Sequence, residues 1–521
     1  MTARCIMVLG TTSGAGKSWL ATALCRYYAR QGFKVAPFKA QNMSNNARVV
    51  ASENGQGEIG SAQYFQALAA RATPDVRMNP LLLKPEADTH SQVVLMGQVN
   101  EALSAMPWRG RSASVWPQIA QALDALRAEN EVVVIEGAGS PAEINLHDSD
   151  IVNMRVALHC HAACLLVTDI DRGGAFAHLY GTWALLPEVE RKRIKGFVLN
   201  KFRGDASLLA PAPQMLQELT GVPTVATLPM WWYHGLPEED GVFDMAPTFG
   251  TGISSLPPPP QGSLRTGARA ARGEASPPTP YKTVAVVAYP RISNLDEFQP
   301  LKNVPGVRLQ WVRSPKELAG LSQDDWIILP GSKATAADLA WLRGQALDVV
   351  ILQHAAQGGA VLGICGGLQM LGEALHDPHG VDGAARGLGL LAVQTTFAPD
   401  KTVRRTATRF SAAWPAADSP WQVLAGVPVA GYEIHHGHSG ATRTAAHGVL
   451  ADNLGWCNLA GNVLGVYLHG LFEDAAVLRA LFGAETPTLD AVFDGLADYV
   501  QRHVAVGVLE SLCGQSQPSP H

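Results

Sequence analysis

The chain has little charge and no excess of positive sign. Charged residues make up 16% of 521, with 40 Lys and Arg set against 45 Asp and Glu. The formal net charge of −5 gives no basic footprint, so nucleic acid is not expected as a partner. No apolar run reaches the length of a membrane span, and no membrane partner is expected either. Cysteine is sparse: seven residues, Cys5, Cys25, Cys160, Cys164, Cys365, Cys457 and Cys513. An odd, scattered set of this kind does not read as a disulfide framework and fits a reducing compartment. The N-terminus lacks the charged region and cleavage site of a signal peptide, so a cytoplasmic location is expected. Internal repeats are also missing. What is present is a 47% hydrophobic composition, in a chain long enough for two or three domains with large cores.

From residue 1 to 245, short apolar runs alternate with amphipathic stretches, the pattern of a parallel sheet wrapped by helices. Strands are expected at 6–10, 34–38, 132–136, 164–167 and 196–200, with a helix following the first. Residues 246–280 are rich in Pro, Gly, Ser and Arg and poor in large apolar side chains, so they read as a linker. A second alternating series opens at Thr283, with strands expected at 326–329, 360–364 and 463–467. The expected architecture is two α/β domains, 1–245 and 281–505, with 506–521 as a flexible tail.

Two motifs carry chemistry. Gly10 to Ser18 lies between an apolar strand and a helix, where unhindered backbone amides converge on phosphate. Strict spacing would place the first glycine at position 11, occupied by Thr11, so the loop is one residue longer than the standard pattern. Ser13, Gly14, Ala15, Gly16, Lys17 and Ser18 form the expected nucleotide-binding set. Lys17 supplies charge to the β and γ phosphates, and Ser18 a hydroxyl to Mg²⁺. Glu136, ending the run Val132–Ile135, stands where a parallel sheet presents Mg²⁺ ligands. Lys39 ends another strand and is a candidate phosphate contact.

The second motif is Gly363-Ile364-Cys365-Gly366-Gly367, an apolar strand followed by a tight glycine-flanked turn and a helix. Such a turn lifts a nucleophile clear of the sheet, and the helix start favours thiolate. A thiolate needs a base, and His469, emerging from the strand-like 463–467, is the best placed of 16 histidines. The amides of Gly331 and Gly366 are candidates for an oxyanion hole. His159, Cys160, His161 and Cys164 have a metal-like composition, but the side chains of a helix running into a strand would not converge tetrahedrally. No metal is assigned to His435, His436 and His438. Trp231 and Trp232 read as packing or a site wall.

These motifs, together with 37–46, 78–85, 136–143, 148–153, 169–174, 329–333 and 431–435, resemble the cobyric acid synthase family over nearly the whole chain. That family comprises the glutamine-dependent amidotransferases of adenosylcobalamin biosynthesis. The resemblance implies a P-loop, dethiobiotin synthetase-like domain followed by a class I glutaminase-like, flavodoxin-like domain, with Cys365 as nucleophile and His469 as base. It implies ATP and Mg²⁺ as cofactors, with L-glutamine and adenosylcobyrinic acid a,c-diamide as substrates. The b, d, e and g carboxylates would be amidated to give adenosylcobyric acid. Asn42, Ser44, Asn45, Asp169, Asp171 and Arg172 are implied substrate- or nucleotide-site residues. Many class I glutaminases carry a Glu two residues after the catalytic His; here that position is Leu471, which leaves the group that orients His469 open. Two rival readings remain at this level. One is a cobyrinic acid a,c-diamide synthase, disfavoured by the segment 41–46; the other is a P-loop switch ATPase with a vestigial glutaminase domain.

Overall fold

A computed structural model describes residues 2–52, 55–87, 90–232, 234–237, 248–249, 281–442, 445–483 and 488–514. Apart from Thr248 and Phe249, the expected linker at 246–280 lies outside the described residues, as does the end of the expected tail from 515.

The first half forms a six-stranded parallel sheet in the order Thr224–Pro229, Ile194–Phe202, Ala163–Asp169, Arg4–Gly10, Val132–Glu136, Val35–Phe38. All five expected strands are present within a residue or two of their expected bounds. Their nearly unbroken Val, Ile and Leu content follows from burial on both faces. The first strand sits in the interior of the sheet, so connections leave it in opposite directions. The crevice at the carboxyl ends of its neighbours is where such a sheet binds ligands.

The second half builds an eight-stranded sheet. Its five central strands, Val307–Val312, Lys282–Val287, Trp326–Leu329, Ala360–Ile364 and Val463–Val466, run parallel in that order. Two antiparallel strands, Gly455–Asn458 and Ala446–Leu450, extend one edge. A long antiparallel ribbon of Val393–Arg409 with Pro428–Ala441 reaches from this domain to the first. There Lys401 meets Glu58 at 2.5 Å and the Arg405 side chain donates to the Val49 carbonyl at 3.0 Å.

The C-terminal segment departs from the sequence reading, which ended the second domain at 505 and left a tail from 506. The helix Leu489–His503 instead packs on Lys17–Arg30, the helix that follows the phosphate loop. Its buried face of Val492, Phe493, Leu496, Tyr499 and Val500 joins the first domain's core. Fully burying a side chain such as Leu496 is worth about 2 kcal/mol. Arg26 is anchored to Asp490 at 2.9 Å and Asp494 at 2.8 Å, and Tyr28 donates to the Leu509 carbonyl at 2.8 Å. Residues 508–512 are helical, with Leu509 and Leu512 buried. The amphipathic period of 489–503 specified a helix, but not which domain would cover its apolar face.

Candidate functional site

The carboxyl edge of the first sheet gathers the P-loop, Lys39, Glu136, Asp169 and Asn200. Gly14 and Gly16 adopt positive φ, 71° and 98°, in the turn that feeds the helix at Lys17. The Lys17 ammonium crosses the loop to the Thr12 carbonyl at 3.1 Å and the Gly139 carbonyl at 3.3 Å. Ser18 donates its hydroxyl to Glu136 Oε1 at 2.8 Å, Lys39 Nζ lies 2.7 Å from the same oxygen, and Gln66 donates to Oε2 at 2.5 Å. Burial alone would raise the Glu136 carboxyl, but Lys39, Ser18 and Gln66 together hold it below the usual carboxylate range. The two expected metal residues are therefore adjacent, and Glu136 is an anion. A hydroxyl that gives its proton to a carboxylate keeps its oxygen lone pairs, so Ser18 and Glu136 fit a divalent cation.

Asn200 and Lys201 join this edge, and the sequence reading did not single them out. Asn200 donates to the Ala15 carbonyl at 2.9 Å, and Lys201 Nζ to the Gly14 carbonyl at 2.8 Å. Lys201 also lies 3.2 Å from Asp169, which places Asp169 beside the phosphate loop. Arg172 is 3.5 Å from Asp169 and largely exposed, and Asp171 accepts from Arg203 at 2.6 Å. Asn42, Ser44 and Asn45 lie together on the segment after Lys39. The Ser44 amide bonds the Leu83 carbonyl at 3.0 Å, and Asn45 donates to Pro85 at 3.2 Å.

In the second domain Cys365 caps the helix Gly366–Leu371 with φ 51° and ψ −108°, a backbone shape rarely held without cause. A Cβ on Gly367 would sit 1.8 Å from the Leu329 carbonyl oxygen, and one on Gly363 2.7 Å from Gly367. Glycine is therefore obligatory on both sides of Cys365. The Cys365 amide bonds the Val466 carbonyl at 2.8 Å, tying the turn to the strand that leads to His469. Gly331 and Gly366 both lie at this centre. A Cβ on the first would meet the His469 ring at 2.7 Å, and one on the second would meet the Ser332 amide nitrogen at 2.8 Å.

The partner of His469 is Glu297, which sequence reasoning missed. His469 Nδ1 lies 3.0 Å from Glu297 Oε1, and the Gly470 amide donates to Oε2 at 2.9 Å. Both side chains are fully buried. Burial would lower the histidine, but Glu297 and then Cys365 push it up to about 10. The other ring nitrogen, Nε2, is buried and not taken by Glu297, which leaves it for the side of Cys365. A glutamate 172 positions upstream carries no spacing signal.

His159 pairs with Asp124 at 3.0 Å, while Cys160 and Cys164 are buried, each directed at a nearby backbone carbonyl. His435 stacks on Tyr467 and approaches Glu433 at 3.3 Å. Trp231 stacks on Tyr499 of the returning C-terminal helix, and Trp232 is exposed. Among the described residues no helix is long and apolar enough to cross a membrane.

Comparison with known proteins agrees with both halves of the fold. Residues 6–231 match the CobQ/CobB/MinD/ParA nucleotide binding domain, and residues 283–477 the CobB/CobQ-like glutamine amidotransferase domain. A cobyric acid synthase from Polaromonas sp. (strain JS666 / ATCC BAA-500) is 73% identical, covering 98% of each chain. One from Albidiferax ferrireducens is 69% identical over 98% of this chain and the whole of that one. One from Leptothrix cholodnii is 59% identical over 99% of this chain and 98% of its own length. The chain belongs to the cobyric acid synthase family.

Proposed function

We propose that this member of the cobyric acid synthase family is a glutamine-hydrolysing carbon–nitrogen ligase. It amidates the b, d, e and g side-chain carboxylates of adenosylcobyrinic acid a,c-diamide with ATP, giving adenosylcobyric acid. The observation that carries the reading is the presence, in one chain, of a buried Cys365–His469–Glu297 centre and a Lys17–Ser18–Glu136–Lys39 cluster on a phosphate loop. Relatives matching over nearly their whole length bear the name cobyric acid synthase, which favours this reading over an a,c-diamide synthase.

In the second domain, Glu297 orients His469 and favours its protonated form beside Cys365, whose thiolate is the nucleophile. The thiolate attacks the carboxamide carbon of glutamine, and the amides of Gly331 and Gly366 take the developing oxyanion. The His469 imidazolium gives its proton to the departing nitrogen, releasing ammonia and leaving a Cys365 thioester. Water, deprotonated by the now neutral imidazole, cleaves that thioester to glutamate.

In the first domain, the amides of Ser13–Lys17 and the Lys17 ammonium hold the ATP phosphates. A corrin carboxylate attacks the γ-phosphorus and ADP leaves, forming an acyl phosphate. Lys17 and Lys39 offset the charge that builds on the transferring group. Ammonia then displaces phosphate and yields the amide. Mg²⁺ held by Ser18 and Glu136 would neutralise phosphate charge there. Asn42, Ser44, Asn45, Asp169, Asp171 and Arg172 are the proposed substrate- and nucleotide-positioning groups, and Asp169 is joined to the loop through Lys201. Supplying the diamide, MgATP and glutamine and following product mass tests the reading. Successive amidations are expected; ATP hydrolysis without any amide product would overturn it.

A further inference from the structure

The first domain sends one buried guanidinium into the second. Arg48, on the strand Ala47–Ser52, is 2% exposed. Its Nη2 lies 2.5 Å from Asp296 and 2.5 Å from Glu473, and its Nη1 donates to the Tyr432 hydroxyl. Each of these partners adjoins the group that fixes His469. Asp296 precedes Glu297, the carboxylate on His469 Nδ1. Tyr432 stacks on the His469 ring at 5.4 Å between centroids and 22° between planes. The backbones of those two residues also exchange a pair of hydrogen bonds, at 2.9 and 3.2 Å. Glu473 sits one turn beyond, its amide bonded to the Gly470 carbonyl at 2.9 Å.

A second clasp lies beside the first. The Ala47 amide donates to Asn294 Oδ1, and the Leu295 amide donates to Asn46 Oδ1, both at 2.9 Å. The segment that carries Asn42, Ser44 and Asn45 therefore ends by gripping residues 294–296 of the second domain through Asn46, Ala47 and Arg48. Three carboxyl groups, Asp296, Glu297 and Glu473, crowd this pocket, and only Arg48 and His469 bring positive charge among the contacts described. A buried carboxylate whose partner is removed protonates or moves.

We propose that Arg48 is a positioning residue for glutamine hydrolysis, through which the first domain keeps Glu297, Tyr432 and His469 in register with Cys365. The inference rests on the reading of Cys365 and His469 as the glutaminase centre. It adds that this centre is complete only when the 41–48 segment of the ATP-side domain is seated. Coupling of this kind needs a contiguous physical link with two ends, and the guanidinium supplies it.

The test uses the full chain and three variants, Arg48→Met, Arg48→Lys and Tyr432→Phe. It compares glutamine-supported with ammonia-supported amidation, and measures the pH dependence of Cys365 alkylation by the glutamine analogue 6-diazo-5-oxo-norleucine. Misplacement of a catalytic group by an ångström costs on the order of 100-fold, so Arg48→Met is expected to lose about that factor in glutamine-supported kcat. KM for glutamine and the ammonia-supported rate should stay near those of the unmodified enzyme. Arg48→Lys restores part of the loss, since an ammonium cannot bridge all three partners. Tyr432→Phe keeps the ring stack and is expected to lose glutamine-supported rate alone; with Arg48→Lys it carries the test if the methionine variant does not fold. Both Arg48→Met and Tyr432→Phe are expected to shift the alkylation profile. Equal loss with both nitrogen sources, or full glutamine use in folded Arg48→Met or Tyr432→Phe, overturns the proposal. If Cys365→Ser abolishes glutamine use while Arg48→Met leaves it intact, the Arg48 inference alone fails.

Discussion

Glu297 holds His469 from both ends of its carboxylate, one oxygen 3.0 Å from the imidazole Nδ1 and the other accepting the Gly470 amide at 2.9 Å. The carboxylate thus fixes the ring's tautomer, its orientation and its charge together. It comes from the opening turn of the domain, far upstream of the position after the histidine where such a group is commonly sought.

Glu297→Gln keeps the shape and removes the charge. With His469 no longer held at about 10, its alkaline titration moves down toward the ordinary histidine range, so less imidazolium is present near neutral pH. The glutamine-supported kcat/KM should fall about 100-fold or more, by analogy with loss of the orienting acid in other triads. The alkaline limb of its pH profile should fall at lower pH. Ammonia-supported synthesis should be unaffected, and steady-state kinetics across pH with each nitrogen source checks both statements.

Lys39→Met leaves Glu136 buried without its nearest cation. Breaking such a pair costs about 3–5 kcal/mol, measurable by urea unfolding at neutral pH. The sign of the linkage follows from the lowered Glu136 pKa. Its contribution is present above the unfolded carboxylate range and is lost as pH falls through the lower folded value. The stability gap between the unmodified chain and the variant should therefore narrow on acidification. Amidation should be lost with either nitrogen source.

Gly367→Ala places a methyl group against the Leu329 carbonyl, where a Cβ has only 1.8 Å. Overpacking of this kind costs about 1–3 kcal/mol, and the turn must shift to relieve it. Cys365 alkylation by a glutamine analogue should slow sharply, while ammonia-supported amidation persists. Mass spectrometry of the labelled chain reports the first effect.

Leu496→Ala removes a fully buried side chain from the helix that returns to the first domain. A large-to-small change there costs about 2–5 kcal/mol. Its effect should appear as ATP-side instability: the apparent Tm of the nucleotide-protected transition should drop, with alkylation of Cys365 retained below that temperature. Calorimetry with and without MgATP separates the two domains' responses.

The parallel strands were legible because burial on both faces writes them as unbroken Val, Ile and Leu runs. The two turns were legible because phosphate and thiolate chemistry each require glycine at fixed offsets. Cys365, Lys17 and Ser18 could be named for that reason, Glu136 from its place at a strand's carboxyl end and His469 through the family resemblance, and the structure brings each group together in its own domain. Glu297, Arg48 and Lys201 act through contacts distant in sequence, so no local period or spacing marks them. The alternation of 393–409 with 428–441 was not recognised as a ribbon, because its long strands bridge domains and bury their faces unevenly. For the helix 489–503, periodicity described the apolar face while the partner surface, 464 to 468 residues away at Arg26 and Arg30, lay outside any local window.

The most direct test of the two-site account is the origin of the nitrogen in the product. The unmodified chain and Cys365→Ser are each given the diamide substrate, MgATP, amide-¹⁵N glutamine and unlabelled ammonium, and the corrin product is weighed. The account predicts ¹⁵N in the amides made by the unmodified chain, and ATP-dependent amides carrying only unlabelled nitrogen from Cys365→Ser. Labelled product from Cys365→Ser, or no amide from that variant at saturating ammonium while the protein remains folded, would contradict it.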